Sequence, residues 1–159
     1  MVTYNFESQW HFKVPVERVQ EELENLSNWP TWSSGIRSAK VRAKDGELGK
    51  GSLADIEVKG PLPFTLKFTI EVTEYRPPTS IVFTSRGNLV GGGRLVLASS
   101  NDGTDVTFHW HVAMQNPVFN LLAKLAPFKA LMEKNHNWVM AKTYAGLDQK
   151  LRDEYYRES

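Results

Sequence analysis

The 159-residue chain contains no cysteine. Disulfides, thiolate nucleophiles and cysteine-ligated metals are therefore excluded at the outset. An excess of charge of either sign is also missing, with 19 basic side chains against 18 acidic ones and a formal net charge of +1. That balance gives no electrostatic ground for a nucleic-acid partner or an anionic membrane surface. No apolar run approaches the roughly 20 residues needed to cross a bilayer, so no stable membrane insertion is expected. Met1 to Glu7 carries neither the basic start nor the continuous apolar stretch of a secretory signal. Repeats, linkers and low-complexity stretches are absent as well. The expectation is a cytoplasmic protein forming one domain over residues 1–159, a length that suits one core.

What the sequence does contain is alternation. From Tyr4 to Lys13, the residues Tyr4, Phe6, Ser8, Trp10 and Phe12 share one parity and polar side chains the other, the pattern of a half-buried strand. Pro15 then suits the first turn of a helix carrying Val16, Val19, Leu23 and Leu26 on one side. Asn25 to Ser34 reads as a break or a second short helix, with Trp29 and Trp32 as packing anchors. Six strand candidates follow: Ile36–Ala43, Leu53–Lys59, Phe64–Tyr75, Ile81–Arg86, Leu89–Ala98 and Val106–Met114. Turn signals separate them at Lys44-Asp45-Gly46, Gly49-Lys50-Gly51, Gly60-Pro61-Leu62-Pro63, Arg76-Pro77-Pro78-Thr79 and Asn101-Asp102-Gly103. Strands joined by short turns favour an antiparallel meander, and its apolar face needs a cover. The last quarter supplies one. After Asn116-Pro117, an apolar run and Pro127, nothing breaks a helix before about Tyr156.

At 100° per residue, Phe128, Leu131, Met132, Trp138 and Val139 cluster on one side of that helix, with Asn135 among them. From Met140 onward the apolar residues are Met140, Tyr144, Leu147, Leu151 and Tyr155, nearly opposite. The spacing thus predicts an apolar face that changes side, either at a kink near Asn137 or because the second half leans on the early helix. Asn135 is the polar group placed to point into an apolar interior. Its two readings are a structural hydrogen bond, to a strand or a buried water, and an orienting contact for a ligand carbonyl or hydroxyl. His136, displaced by 100°, is expected at the rim of that interior.

Catalytic signatures are sparse. His109 and His111 lie two apart on a strand, a spacing found in metal pairs, but they share parity with Thr107 and Ala113, opposite the apolar residues. No third ligand is legible beside them, so solvated strand histidines are expected and no metal. Gly91-Gly92-Gly93 does not sit between a strand and a helix N-terminus, so it is no phosphate cradle. It leaves either room for a ligand or a bulge and room for the helix. There is no Gly-x-Ser-x-Gly elbow. Arg86, Arg94, His136 and Tyr144 are the polar groups on elements that could face a cavity, though strand arginines usually reach for solvent. No carboxylate pair and no cofactor motif stands out, and the catalytic residues remain unassigned.

The order strand, short helices, six strands, long helix resembles the helix-grip fold of the START-like (SRPBCC) superfamily. This includes polyketide cyclase/dehydrase and lipid-transport proteins. Asn28-Trp29-Pro30-Thr31-Trp32 is similar to the tryptophan-bearing segment after that superfamily's first helix. Gly60 to Phe68, Gly87 to Arg94, Gly103 to Trp110 and Asn135 to Met140 resemble one bacterial branch of it. Asn88 stands where that branch often carries an acid, and Leu95 where it often carries an aromatic. The resemblance implies an α+β fold, a seven-stranded antiparallel sheet wrapped around a long C-terminal helix. It also implies an internal cavity for a small hydrophobic or amphipathic ligand. The expected walls are Phe64, Phe68, Phe83, Phe108, Trp110, Leu131, Asn135, His136 and Trp138. The alternatives are a polyketide cyclase/aromatase-type enzyme using general acid/base groups on a cavity-bound substrate, and a cavity filled by side chains in a protein acting through its surface.

Overall fold

The computed structural model describes residues 3–43, 48–114, 121, 124 and 126–157, with the backbone alone at 126 and 155–157. The turn at Lys44-Asp45-Gly46, Asn116-Pro117 with most of the apolar run after it, and the Tyr155 side chain lie outside the described residues. Strand β1 (Thr3–Phe12) leads into helix α1 (Val16–Glu24), a 3-10 turn at Leu26–Asn28 and a single helical turn, α2 (Trp29–Trp32). Strands β2 (Ile36–Arg42), β3 (Leu53–Val58), β4 (Leu66–Arg76), β5 (Ser80–Gly87), β6 (Leu89–Ser100) and β7 (Gly103–Met114) follow. The chain then enters α3 (Ala126–Arg157). All seven strands form one antiparallel sheet in the order β1-β7-β6-β5-β4-β3-β2. The short helices carry the chain from one edge strand, β1, to the other, β2. This is the helix-grip arrangement, with the sheet curled around α3. No helix among the described residues is long and apolar enough to cross a membrane.

Alternation decides which side of the sheet is inside. In β4, Leu66, Phe68, Ile70 and Val72 are buried, while Lys67 and Glu71 are exposed. A register shift between Val72 and Glu74 then bends the strand. The strand begins at Leu66 rather than Phe64 because the preceding loop is tied down in its own right. Lys59 Nζ donates to Gly60 O at 2.7 Å and also to Leu62 O, and Leu62 N donates to Asn135 Oδ1 at 3.1 Å. Leu62 is fully buried, so this loop belongs to the core rather than to the surface.

The buried row along α3 is Phe128, Met132, Asn135, Val139, Thr143, Leu147 and Leu151. Apart from one three-residue step, it advances by fours, each step turning about 40° around the axis. The buried face therefore precesses steadily, where the spacing of apolar residues predicted a switch of side near Asn137. Thr143 supplies the continuity. Its hydroxyl donates to Val139 O at 2.7 Å and pairs with Ser33 Oγ at 2.9 Å, so a polar residue sits in the core without an unmet hydrogen bond. Pro127 stands in the first turn, where its missing N–H costs nothing.

The second half of α3 does lean on the early helices. Glu22 is buried on α1 and accepts from Asn28 Nδ2 at 3.0 Å, Trp32 Nε1 at 3.2 Å, Lys150 Nζ at 3.0 Å and Arg18 Nη1 at 3.3 Å. Burial alone would raise its pKa, yet the hydrogen bonds from Asn28, Lys150 and Arg18 hold it below the usual carboxylate range. Trp29 donates its indole N–H to Leu23 O at 3.2 Å, so both tryptophans anchor α2 as expected. Closest of all is Gly146, where a Cβ would lie 1.7 Å from Trp32 O. Gly146→Ala must therefore push α3 away from α2. It is expected to destabilise by about 2 kcal/mol or more, as overpacking against backbone does, read as a lowered midpoint of chemical denaturation.

Candidate functional site

Between the inner face of the sheet and α3 lies a cavity of about 140 Å³. β2 contributes Ile36 and Ala39, β3 Ile56 and Val58, and the 3-10 turn and α2 contribute Leu26 and Trp29. Its aromatic wall is built by cross-strand register. Phe83, Gly93 and Trp110 lie opposite one another on β5, β6 and β7. Gly93 has no side chain, so the Phe83 and Trp110 rings meet across it, edge to face, with centroids 4.9 Å apart. A Cβ on Gly93 would fall 2.6 Å from the Phe83 ring and 2.4 Å from His109 O. The room over this glycine is thus taken by Phe83, and the pairing of β6 runs through all three glycines without a bulge, with Gly91 at a φ of 150° that disfavours any other residue. Phe68 and Phe108 complete the cluster, each with its ring centroid 5.7 Å from that of Trp110.

Six of the nine expected wall residues border the cavity: Phe68, Phe83, Phe108, Trp110, Asn135 and His136. The other three stand elsewhere. Leu131 and Trp138 are 38% and 37% exposed on the outer flank of α3, and Lys142 Nζ lies 5.7 Å from the Trp138 ring centroid. Their apolar side chains suggested the inside, but the buried row passes through Met132, Asn135 and Val139 and leaves both beyond its edge. Phe64 lies in the loop before β4 and packs against a second cluster around Tyr4, Leu62 and Phe128. Sequence reasoning missed Phe6, Ala39, Leu66, Met132, Val139 and Met140 as wall residues. Met132 and Val139 had been placed on the buried helix face, so the signal was there. Leu95, where an aromatic is common in the resembling branch, also borders the cavity.

Other candidates serve structure or face out. The Tyr144 ring stacks on Trp10 at 5.8 Å and its hydroxyl donates to His11 O at 2.8 Å. Arg86 and Arg94 are exposed. His109 and His111 border a shallow groove on the outer face, and His111 Nδ1 is hydrogen-bonded to Asn5 Oδ1 at 2.5 Å. Among the described residues, no three His, Asp or Glu side chains gather in the manner of a metal site. Asn88 Oδ1 accepts from Lys67 N at 2.9 Å, stitching the β5–β6 turn to β4.

Two polar groups at the cavity differ in how they are satisfied. Asn135 is 3% exposed and commits Oδ1 to Leu62 N. His136 stacks on Phe6, with ring centroids 3.8 Å apart and planes 8° from parallel, and neither ring nitrogen has a hydrogen-bond partner among the described residues. Burial pulls its pKa down to about 4, against a smaller opposing effect of Asn137, so the ring is neutral at physiological pH.

The sequence matches the family model described as polyketide cyclase / dehydrase and lipid transport over residues 3–152. The chain belongs to this family. None of the curated proteins matches it in sequence. Among solved structures it is similar to the Zhui aromatase/cyclase of Streptomyces sp. R1128, with 10% identity and a TM-score of 0.75 over 95% of this chain and 96% of the other. It is also similar to TTHA0849 of Thermus thermophilus, with 19% identity and a TM-score of 0.71 over 91% and 97%. A third is NE0264 of Nitrosomonas europaea, with 16% identity and a TM-score of 0.63 over 96% of each chain. At these identities the likeness is one of fold.

His136 provides a pH test of the site. Its folded pKa of about 4 lies below the 6.5 of an unburied histidine, so the unfolded chain binds the extra proton between those values. Stability should therefore fall as the pH is lowered from 6.5 to 4, by about 3 kcal/mol from this group, and its contribution should level off below that. His136→Phe keeps a ring against Phe6 and should flatten the slope in that window. A wild-type slope that survives the substitution would assign it to other groups.

Proposed function

We propose that the protein binds a small hydrophobic or amphipathic molecule in the cavity between sheet and α3. The observation that carries this reading is the apolar space itself. Protein interiors are normally close-packed, and an opening of about 140 Å³ lined by Phe, Leu, Ile, Val and Met is a departure from that norm. An apolar cavity of about 150 Å³ is known to stay dry and accept benzene, which sets the scale of the buried part of a ligand at roughly one ring. Family membership supports the same reading. Pockets of this kind combine apolar walls with a few polar groups that orient the guest.

A second reading, cyclisation of a bound chain by acid/base groups, is favoured by the likeness to the Zhui aromatase/cyclase. It would need a proton-transferring group within reach of the substrate. Among the described residues, the polar side chains bordering the cavity are Asn135, Thr143 and His136. An amide does not titrate near neutrality, Thr143 is engaged with Val139 O and Ser33, and the His136 nitrogens are closed off from open space as the ring stands. Binding is the better-supported reading.

Native mass spectrometry of the purified protein, followed by solvent extraction, should reveal a co-purifying apolar molecule or uptake of one from an added panel of single-ring compounds. Ala39→Leu, which grows a side chain into the cavity, should weaken that binding tenfold or more. Failure of the wild-type protein to retain any of them would overturn the proposal.

A further inference from the structure

The Asn135 amide is divided between two tasks. Oδ1 accepts the Leu62 N–H at 3.1 Å, and this fixes which way round the amide stands, because only the oxygen can accept. The fit is tight on that side, since a Cβ on Gly60 would come within 2.3 Å of Oδ1. Nδ2 takes no part in that bond and donates to none of the described residues, although the side chain is 3% exposed and Asn135 borders the cavity. An amide donor without an acceptor beside an apolar cavity is a deficit, and an acceptor atom on a guest molecule would remove it. The neighbouring polar groups do not compete for that acceptor. Thr143 already donates to Val139 O, and the His136 ring nitrogens are closed off.

We infer that Asn135 Nδ2 selects ligands carrying a neutral hydrogen-bond acceptor, such as a carbonyl oxygen, on a ring-sized apolar body. This rests on the binding reading above and narrows it. A carboxylate is disfavoured, because among the described residues no cationic side chain borders the cavity to offset burial of the charge. A plain hydrocarbon of the same shape fills the space but leaves Nδ2 unmet. One hydrogen bond of this kind should change relative affinity by about fivefold to a hundredfold.

Toluene and benzaldehyde form the test pair, titrated into wild-type protein and Asn135→Leu. Their water solubilities differ, so the informative quantity is the ratio of their dissociation constants and how the substitution changes it. The ratio should move against benzaldehyde by fivefold or more in Asn135→Leu. In the wild type, the Asn135 side-chain NH₂ resonances should shift on adding benzaldehyde and not toluene. An unchanged ratio together with unmoved amide resonances would overturn the inference and leave the cavity reading standing. Binding of neither compound to the wild type would remove the cavity reading itself. The substitution also frees the Leu62 N–H, so if Asn135→Leu does not fold, the wild-type amide resonances decide alone.

Discussion

The constraint on which the rest depends is a mismatch of widths. Seven strands spaced about 4.8 Å apart span roughly 30 Å, whereas a single helix with its side chains is about 10–12 Å across. A sheet with one apolar face must cover it, and among the described helices only α3 is long enough to run its length. The sheet therefore curls, and α1 and α2 close the end between its two edges. Even so, a cylinder laid in a curved trough does not fill it. Large aromatic rings take up part of the difference, with Phe83 and Trp110 meeting over Gly93, and what remains is the cavity.

Leaving that space open has a definite cost. At roughly 24 cal/mol per Å³, a void of about 140 Å³ forgoes about 3 kcal/mol of packing. That is a sizeable fraction of the 5–15 kcal/mol that typically separates folded from unfolded states. The structure offsets it at the ends of the helix rather than in the middle. Gly146 against Trp32 O, the Ser33–Thr143 pair and the Glu22 cluster lock the second half of α3 to the early helices. Phe128, Met132 and Leu62 close the first half. The stretch between them, where Asn135 and Val139 face the opening, is held from both sides, and so the walls can stand apart without collapsing inward.

The fold was legible because it rests on alternation and turn chemistry, both local. Strand parity, the prolines around Leu62 and the Asn101-Asp102-Gly103 turn required no knowledge of contacts. The helix face was harder. Leu131 and Trp138 are apolar and lie outside, while Thr143 and Asn135 are polar and lie inside, because each buried polar group meets a partner that only the tertiary fold provides. Hydrophobicity reports what a side chain prefers, and partners decide what is tolerated. Phe64 misled for a related reason: its parity continues that of β4, but Asn135 and Lys59 hold the preceding loop and end the strand before reaching it. Asn135 stood out in sequence as a polar residue on an apolar stripe. That it secures a loop through Oδ1 and also borders the cavity could be read only from the three-dimensional arrangement.

Belonging to a family that includes cyclases leaves open what this cavity does, since function resides in the groups that reach the bound molecule. Among the described residues, the polar side chains at the wall are Asn135, Thr143 and His136. A side-chain amide can hold a carbonyl in one orientation and stabilise partial charge on its oxygen, but it cannot take a proton. Among the described residues, the titratable group at the wall is His136, which is neutral, stacked on Phe6 and without a hydrogen-bonded route to the interior. For that ring to act as a base it would first have to leave its stack, giving up the aromatic contact and, on protonation, bearing the cost of a charge in the same apolar surroundings that already hold its pKa near 4. Each of those steps weighs against His136 acting as a base from the position it holds, and the proposed binding requires none of them.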